Sequence, residues 1–192
     1  MIDDFLRPPR TPGDYLADAV RALGLLSVVV AAVWFAPTDA GILAFALPAL
    51  MIPRFVGVRA WFDIAFGLTV LVAAWSNVLD LYRTVVGWDL VVHFVCTGLI
   101  AVLTYLLLAR TDVVPRPTPS GVRTRVALVI TPALALAVSA LWEMVEWAGY
   151  AFITDEIIVT YVDTIGDMAA GGLGGLVGGV LLASVDLLRP EG

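Results

Sequence analysis

Apolar residues form six long runs along this chain, and short polar segments separate them. A helix needs roughly 20 apolar residues to cross the hydrocarbon core of a bilayer, and five of the runs approach or exceed that length. The second run is shorter and contains Pro48, so its length alone would also fit a re-entrant segment. The pattern predicts membrane-spanning helices near residues 16–36, 41–53, 61–81, 88–109, 126–152 and 162–187.

The arginines predict that all six runs cross the membrane. With six spans and both termini in the cytoplasm, every arginine except Arg83 flanks the cytoplasmic face, whereas an odd number of spans breaks this segregation. The longest cytoplasmic loop, between Arg110 and Arg125, is then rich in residues typical of surface connections: Pro115, Pro117, Pro119, Ser120 and Gly121. We therefore predict an all-α polytopic membrane helical bundle with cytoplasmic N- and C-termini, forming a single integral membrane domain over residues 1–192.

Composition agrees with this assignment and excludes one class of partner. Hydrophobic residues make up 60% of the chain, charged residues only 15%, and the mean hydropathy is +0.95, which is far too apolar for a soluble domain. The net charge is -6 and the chain contains no lysine, so it lacks the basic surface that nucleic-acid binding requires. Cys96 is the single cysteine and cannot form a disulfide within the chain.

Three pairs of polar residues stand at helical spacing in the second half of the chain: Asp89 with His93, Glu143 with Glu146, and Asp163 with Asp167. Residues three or four positions apart share one face of a helix, so each pair presents two polar groups together. In the predicted topology all three pairs lie toward the outer ends of their helices, at a common depth in the outer leaflet. Asp80, with Ser76 and Asn77 one turn deeper, is a candidate extension from the third span.

Carboxylates at membrane depth need a compensating positive charge, and no arginine lies among these pairs. An aspartate at the centre of a span costs roughly 2.5 to 3.5 kcal/mol on an insertion scale, so a bound metal, protons or a cationic ligand must balance the cluster. Mg²⁺, Ca²⁺ and Mn²⁺ prefer carboxylate oxygens, whereas zinc sites are richer in cysteine and histidine. The sequence therefore predicts a divalent cation held by six residues: Asp89, His93, Glu143, Glu146, Asp163 and Asp167. The candidate catalytic groups among them are His93, Glu143 and Glu146.

Each of these candidates also has a structural explanation. Asp89 and Asp163 open their helices and would satisfy free backbone amides as N-caps. The other four residues lie deeper, where an unligated polar network that shares protons would also hold them. Iron is disfavoured because the sequence lacks the Glu-x-x-His element typical of di-iron sites.

Glycines recur every four residues on two faces of the sixth run: Gly171, Gly175 and Gly179, and Gly174 with Gly178. Such faces let neighbouring helix backbones approach closely. A phosphate-binding loop would need the lysine that this chain lacks, and a dinucleotide fingerprint would need glycine at Val177. We therefore predict helix packing here, which would bring the fourth and fifth helices near Asp167.

Three sequence stretches carry a family resemblance: W-D-L-V-V-H-F at residues 88–94, S-A-L-W-E-M-V-E-W at 139–147 and D-T-I-G-D-M at 163–168. In order and spacing they resemble the signature stretches of the YjdF-like family of bacterial inner-membrane proteins. The chain departs from the family at Thr97, where glycine is usual, and at Gly166, where tryptophan is usual. There is a looser similarity to VanZ-like proteins. The resemblance implies an integral protein of the bacterial cytoplasmic membrane, and it supplies a family rather than a mechanism.

The leading functional hypothesis is an acidic pocket in the outer leaflet that binds a divalent cation, extended to a metal-assisted enzyme acting on a lipid or lipid-linked phosphate. The first alternative is a transporter or channel for protons or cations, which would need polar groups continuing toward the cytoplasm; Thr104 and Thr131 are the main ones that the sequence offers. The second alternative is a structural protein with a proton-shared network. Membrane lipid is the expected partner, and a lipid or small ion the expected substrate.

Overall fold

The computed structural model describes residues 1–117, 122–154 and 157–189. The predicted loop residues Pro119, Ser120 and Gly121 lie outside these ranges. The described chain is helical apart from short connections and one isolated bridge between Val58 and Leu188, as expected for an all-α protein. It forms two compact units, one of Met1–Val86 with Leu187–Gly192 and one of Gly87–Asp186. A single membrane domain over the whole chain stays a prediction.

The first unit contains five helices: α1 (Ile2–Leu6), α2 (Pro12–Trp34), α3 (Pro37–Val56), α4 (Ala60–Val78) and α5 (Leu81–Thr84). The three long helices pack against one another, with α1 on α3 and α5 on α4. A capping box starts α2, since the Thr11 hydroxyl accepts from the Asp14 amide at 3.2 Å and the Asp14 carboxylate accepts from the Thr11 amide at 3.0 Å. Helix α3 ends at Val56 and is followed by the capping residue Gly57, whose φ of 74° suits glycine.

The second unit contains α6 (Trp88–Val92), a π-helical turn (His93–Thr97), α7 (Gly98–Arg110), α8 (Val122–Phe152) and α9 (Tyr161–Ser184). Helix α6, the π-helical turn and α7 form one continuous span, Trp88–Arg110. Helix α8 packs most extensively on α9, and α9 also contacts the π-helical turn and α7. The second unit is therefore organised around α9.

Six helices of the described chain are long and apolar enough to cross a membrane: Pro12–Trp34, Pro37–Val56, Ala60–Val78, Trp88–Arg110, Thr124–Phe152 and Tyr161–Ser184. They confirm the six predicted spans, with ends that differ by a few residues. The second of these spans, α3, is 20 residues long and continues through Pro48, so it is long enough to cross the membrane. The orientation of the termini stays a prediction.

Glycine faces of α9 make the close contacts that the sequence predicts. A Cβ atom on Gly179 would lie 3.2 Å from the Ala127 carbonyl oxygen in α8, and one on Gly174 would overlap the Phe94 carbonyl oxygen in the π-helical turn. The two faces therefore serve two neighbours, one packing on α8 and the other on the π-helical turn and α7. This packing determines how near the polar residues of three helices approach.

Candidate metal centre

Asp89 and His93 face each other across one turn of helix. Gly87, with φ of 74°, precedes α6 and lets the chain turn into the helix. Asp89 lies in the first turn, and its Oδ1 is 3.4 Å from Nε2 of His93, which begins the π-helical turn. π-Helical turns are rare and frequently mark functional sites. The sequence spacing predicted this shared face.

The structure brings five of the six predicted ligands into two groups. Asp89, His93 and Asp167 form one, here called the aspartate triad, and His93, Glu143 and Glu146 form the other, the glutamate triad. Within each triad, one ligand atom per residue lies within 4.8 Å of the other two. His93 belongs to both, so side chains from α6 and its π-helical turn, α8 and α9 converge on its imidazole.

Burial differs among the members of the triads. Asp167 is 1% exposed, His93 6% and Glu143 9%, whereas Asp89 and Glu146 are only partly buried. Two buried carboxylate oxygens, Oδ2 of Asp167 and Oε1 of Glu143, have no hydrogen-bond partner within the described chain. An unsatisfied buried polar group costs roughly 1 to 3 kcal/mol, and more if it is charged. Each triad contains one of these two residues.

Asp163, the sixth predicted ligand, belongs to neither triad. It lies in the first turn of α9, where its backbone amide donates to the Thr160 hydroxyl at 3.2 Å. The N-cap residues are Thr160 for α9 and Gly87 for α6. The alternative that Asp163 and Asp89 are N-caps is therefore wrong.

The candidate extension at the end of α4 has contacts of its own. Asp80 lies 3.5 Å from Nε of Arg83, and the Ser76 hydroxyl donates to the Val72 carbonyl at 2.7 Å. Both residues belong to the first unit. Neither is a member of a triad.

A family model described as "Predicted membrane protein (DUF2238)" matches residues 18–186. The chain belongs to this family. The YjdF-like family is the same DUF2238 family, so the resemblance seen in the sequence is confirmed. No curated protein and no solved structure matches the chain. The family match and the six long apolar helices of the described residues together show that this DUF2238 chain is an integral membrane protein.

The hydroxyl of Ser139 in this DUF2238 chain was not among the predicted site residues. Ser139 and Thr131 are fully buried, and their hydroxyl oxygens find no partner among the residues that the structure describes. Other span hydroxyls donate to the carbonyl four residues earlier, as expected for serine and threonine in helices: those of Thr69, Ser76, Thr104 and Ser184. The signal was present, since Thr131, Ser139 and Glu143 are spaced by multiples of four and share one face of α8.

The triads of the DUF2238 chain offer carboxylate oxygens and one imidazole, a set suited to a hard divalent cation. The imidazole and the part-exposed Glu146 could also accept a proton from water bound to such a cation. The four carboxylates of the triads carry a formal charge of -4 when ionised, and no arginine is a member of either triad.

Proposed function

We propose that this membrane protein binds a divalent cation at its two triads and uses it to act on the phosphate of a lipid or lipid-linked substrate. One observation carries the proposal: Asp167 and Glu143 are both grouped with His93, and each has a buried carboxylate oxygen that lacks a hydrogen-bond partner in the described chain. Buried polar groups in proteins are nearly always satisfied. Cation binding at the triads would satisfy these oxygens.

The charge of the triads supports a bound cation, because the positively charged side chains of the protein cannot balance it. Four carboxylates meet one imidazole, so even a protonated His93 would leave a formal charge of -3. Removing ionised groups from water costs several kcal/mol per ion unless they are paired. Either protons or a metal ion must therefore make up the difference, and the orphaned oxygens favour an ion that several oxygens can contact together.

The spacing of the triads is close to that of a coordination shell. Ligands on opposite sides of a cation lie at twice the metal–oxygen distance, about 4.1 Å for Mg²⁺ and about 4.6 to 5.2 Å for Ca²⁺. The triads keep their ligand atoms within 4.8 Å of one another, so Ca²⁺ fits with little movement and Mg²⁺ with slightly more. Mn²⁺ shares their preference for carboxylates and, being paramagnetic, is the most useful probe.

A bound cation would supply the chemistry that the side chains lack. It would polarise a phosphoryl oxygen and make a bound water acidic enough to attack at neutral pH. In hydrolysis the water oxygen would bond to phosphorus and its proton would pass to His93 or Glu146, whichever does not hold the cation. The bond between phosphorus and the ester oxygen would break, and the ester oxygen would leave with a proton from water. Both side chains belong to the triads, and Glu146 is partly exposed.

Metal binding and turnover test the two halves of this proposal separately. Purified protein is titrated with Mn²⁺, followed by electron paramagnetic resonance, beside Asp167→Asn and Glu143→Gln. Asp112→Asn is the matched control, because Asp112 is an exposed carboxylate of the same unit and its φ of 58° is one that asparagine tolerates. We expect binding in the wild type and control and at least a tenfold loss of affinity in the variants. Wild-type protein that binds no Mn²⁺, Mg²⁺ or Ca²⁺ would refute the proposal.

The enzymatic half is tested with vesicles that contain phosphatidic acid. We expect cation-dependent release of inorganic phosphate by the wild type and its loss in Glu146→Gln. If the protein binds the cation but releases no phosphate from phosphatidic acid or a polyprenyl phosphate, the enzymatic half is wrong and cation binding stands.

Transport of protons or cations is the second candidate, and the buried hydroxyls favour it. Ser139 and Thr131 continue the face of Glu143 along α8 for about 18 Å, which provides polar groups away from the triads. Proteoliposomes loaded with a pH-sensitive or Mn²⁺-quenched dye would detect such transport. Flux that falls in Thr131→Val while Mn²⁺ affinity is unchanged would favour a transporter over the enzyme.

A further inference from the structure

We infer that the cluster holds two cations, one in each triad, rather than one that all ligands share. The inference rests on the proposed function, because it concerns how the same side chains divide between ions. Three observations carry it: the grouping of the ligand atoms, the charge of the carboxylates and the position of the orphaned oxygens.

The ligand atoms do not form one group of five. Asp89 and Asp167 meet His93 within 4.8 Å, and Glu143 and Glu146 meet it within the same limit, but the two carboxylate pairs are not members of a common group. Ligands of one cation lie at most about 5 Å apart, which is twice a Ca²⁺–oxygen distance. The placement of the five residues therefore favours two ions over one ion that contacts them all.

The charge of the cluster also requires more than one divalent ion. The four carboxylates of the triads carry a formal charge of -4 when ionised. One divalent cation would leave -2 in a membrane-spanning region, which is costly unless protons make up the difference. Two divalent cations supply four positive charges and neutralise the cluster with His93 uncharged.

Each triad has its own unsatisfied oxygen. Asp167 is a member of the aspartate triad only and Glu143 of the glutamate triad only, and each has one buried carboxylate oxygen, Oδ2 and Oε1 respectively, without a hydrogen-bond partner in the described ranges. A single cation in one triad would leave the oxygen of the other unsatisfied, at a cost that buried polar groups rarely bear. The two residues also lie on different helices, α9 and α8.

Two neighbouring cations would suit a phosphate ligand. Pairs of metal ions about 3.5 to 4 Å apart hold both the attacking and the leaving oxygen of a phosphoryl group in many enzymes. A neutral imidazole has one lone pair, so His93 would be a ligand of one ion and the carboxylates alone would hold the other. The part-exposed Asp89 and Glu146, one in each triad, mark the side from which a phosphate could approach both ions.

Stoichiometry tests the inference. Elemental analysis of Mn²⁺-saturated protein should give two ions per chain, and electron paramagnetic resonance should show a coupled pair, which two isolated ions would not produce. Asp167 belongs only to the aspartate triad and Glu143 only to the glutamate triad. Asp167→Asn and Glu143→Gln should therefore each lose one ion and retain the other, with the spectrum of an isolated Mn²⁺. Asp112→Asn should retain two coupled ions.

The outcomes distinguish this inference from the proposed function. One ion per wild-type chain overturns the inference and leaves cation binding intact, whereas no ion overturns both. Loss of both ions in either single variant with an unchanged circular dichroism spectrum also overturns it, because the triads would then not be separate. If Asp167→Asn does not fold, the part-exposed Asp89→Asn replaces it as the variant of the aspartate triad.

Discussion

Nη2 of Arg21 donates to both carboxylate oxygens of Asp63, at 2.7 Å each. The same guanidinium donates from Nε to the Leu50 carbonyl at 3.1 Å and from Nη1 to Asp18 at 3.0 Å. Arg21 is 8% exposed and Asp63 4%, so this pair fastens α2 to α4 inside the first unit. This buried carboxylate thus has an arginine partner, whereas the carboxylates of the triads have none among the ion pairs of the described ranges.

Removing Arg21 should strongly destabilise the first unit. In Arg21→Ala the carboxylate of Asp63 stays buried without its partner, and breaking a buried pair in this way typically costs about 3 to 5 kcal/mol. The double variant Arg21→Met with Asp63→Leu removes both charges and should recover most of the loss. Thermal unfolding in detergent, followed by circular dichroism, measures both. Equal melting temperatures for wild type and Arg21→Ala would contradict the expectation.

Asp14 should be a second centre of stability in the first unit. Its carboxylate accepts from the Arg10 and Thr11 amides and the Thr11 hydroxyl at 2.9 to 3.1 Å, and it lies 2.6 Å from Nη2 of Arg189. Each hydrogen bond to a charged group typically contributes about 1.5 to 3 kcal/mol to the free energy of unfolding. We expect Asp14→Ala to lower the melting temperature more than Arg189→Ala does. The exposed Asp3→Ala serves as control and should change it little; the reverse order would refute this account.

Hydropathy and arginine placement were enough to predict the helices, because crossing a bilayer constrains length and charge in ways that a sequence displays directly. The ion pair of Arg21 with Asp63 was not predicted, although both charges interrupt apolar runs. The two residues are 42 positions apart, and nothing in local spacing indicates which distant helix faces which. Long-range partners of this kind depend on helix packing.

The candidate site shows the same difference between local spacing, which the sequence reveals, and long-range packing, which it does not. Asp89 with His93 and Glu143 with Glu146 were predicted as pairs because three- and four-residue spacing is a local property of helices. The structure leaves Asp163 outside the triads and adds the buried hydroxyl of Ser139. Spacing places Ser139 on the same face as Glu143, but neither the burial of Ser139 nor the position of Asp163 outside the triads was accessible from spacing alone. Both depend on which face of α8 meets α9, and the glycines of α9 determine that contact.

Gly174 should be intolerant of any side chain. A Cβ atom there would overlap the Phe94 carbonyl oxygen, which belongs to the π-helical turn that carries His93. Overpacking of this kind typically costs about 1 to 3 kcal/mol. We expect Gly174→Ala to lower the melting temperature and to weaken Mn²⁺ binding at the triads, because the turn must move away from α9.

Gly41 provides the matched control for this substitution. It lies in α3 and is exposed, and a Cβ atom there would meet nothing within 4 Å. Alanine is favoured over glycine in a helix by about 0.8 to 1 kcal/mol, so Gly41→Ala should raise the melting temperature slightly. An unchanged melting temperature in Gly174→Ala would show that α9 and the π-helical turn are less closely packed than the structure indicates.

Protons should compete with the cation for the triads. Carboxylates and imidazole bind a metal ion only in their deprotonated forms, so binding releases protons and acid favours the free protein. We expect the apparent Kd for Mn²⁺ to rise as the buffer is changed from mildly alkaline to mildly acidic, and isothermal titration in two buffers of different ionisation enthalpy to reveal the released protons. The Asp112→Asn variant should follow the wild type, because Asp112 is not a member of either triad. Mn²⁺ affinity that is independent of pH would mean that Mn²⁺ binds through backbone carbonyls or hydroxyls. The assignment of the triad side chains as its ligands would then be wrong.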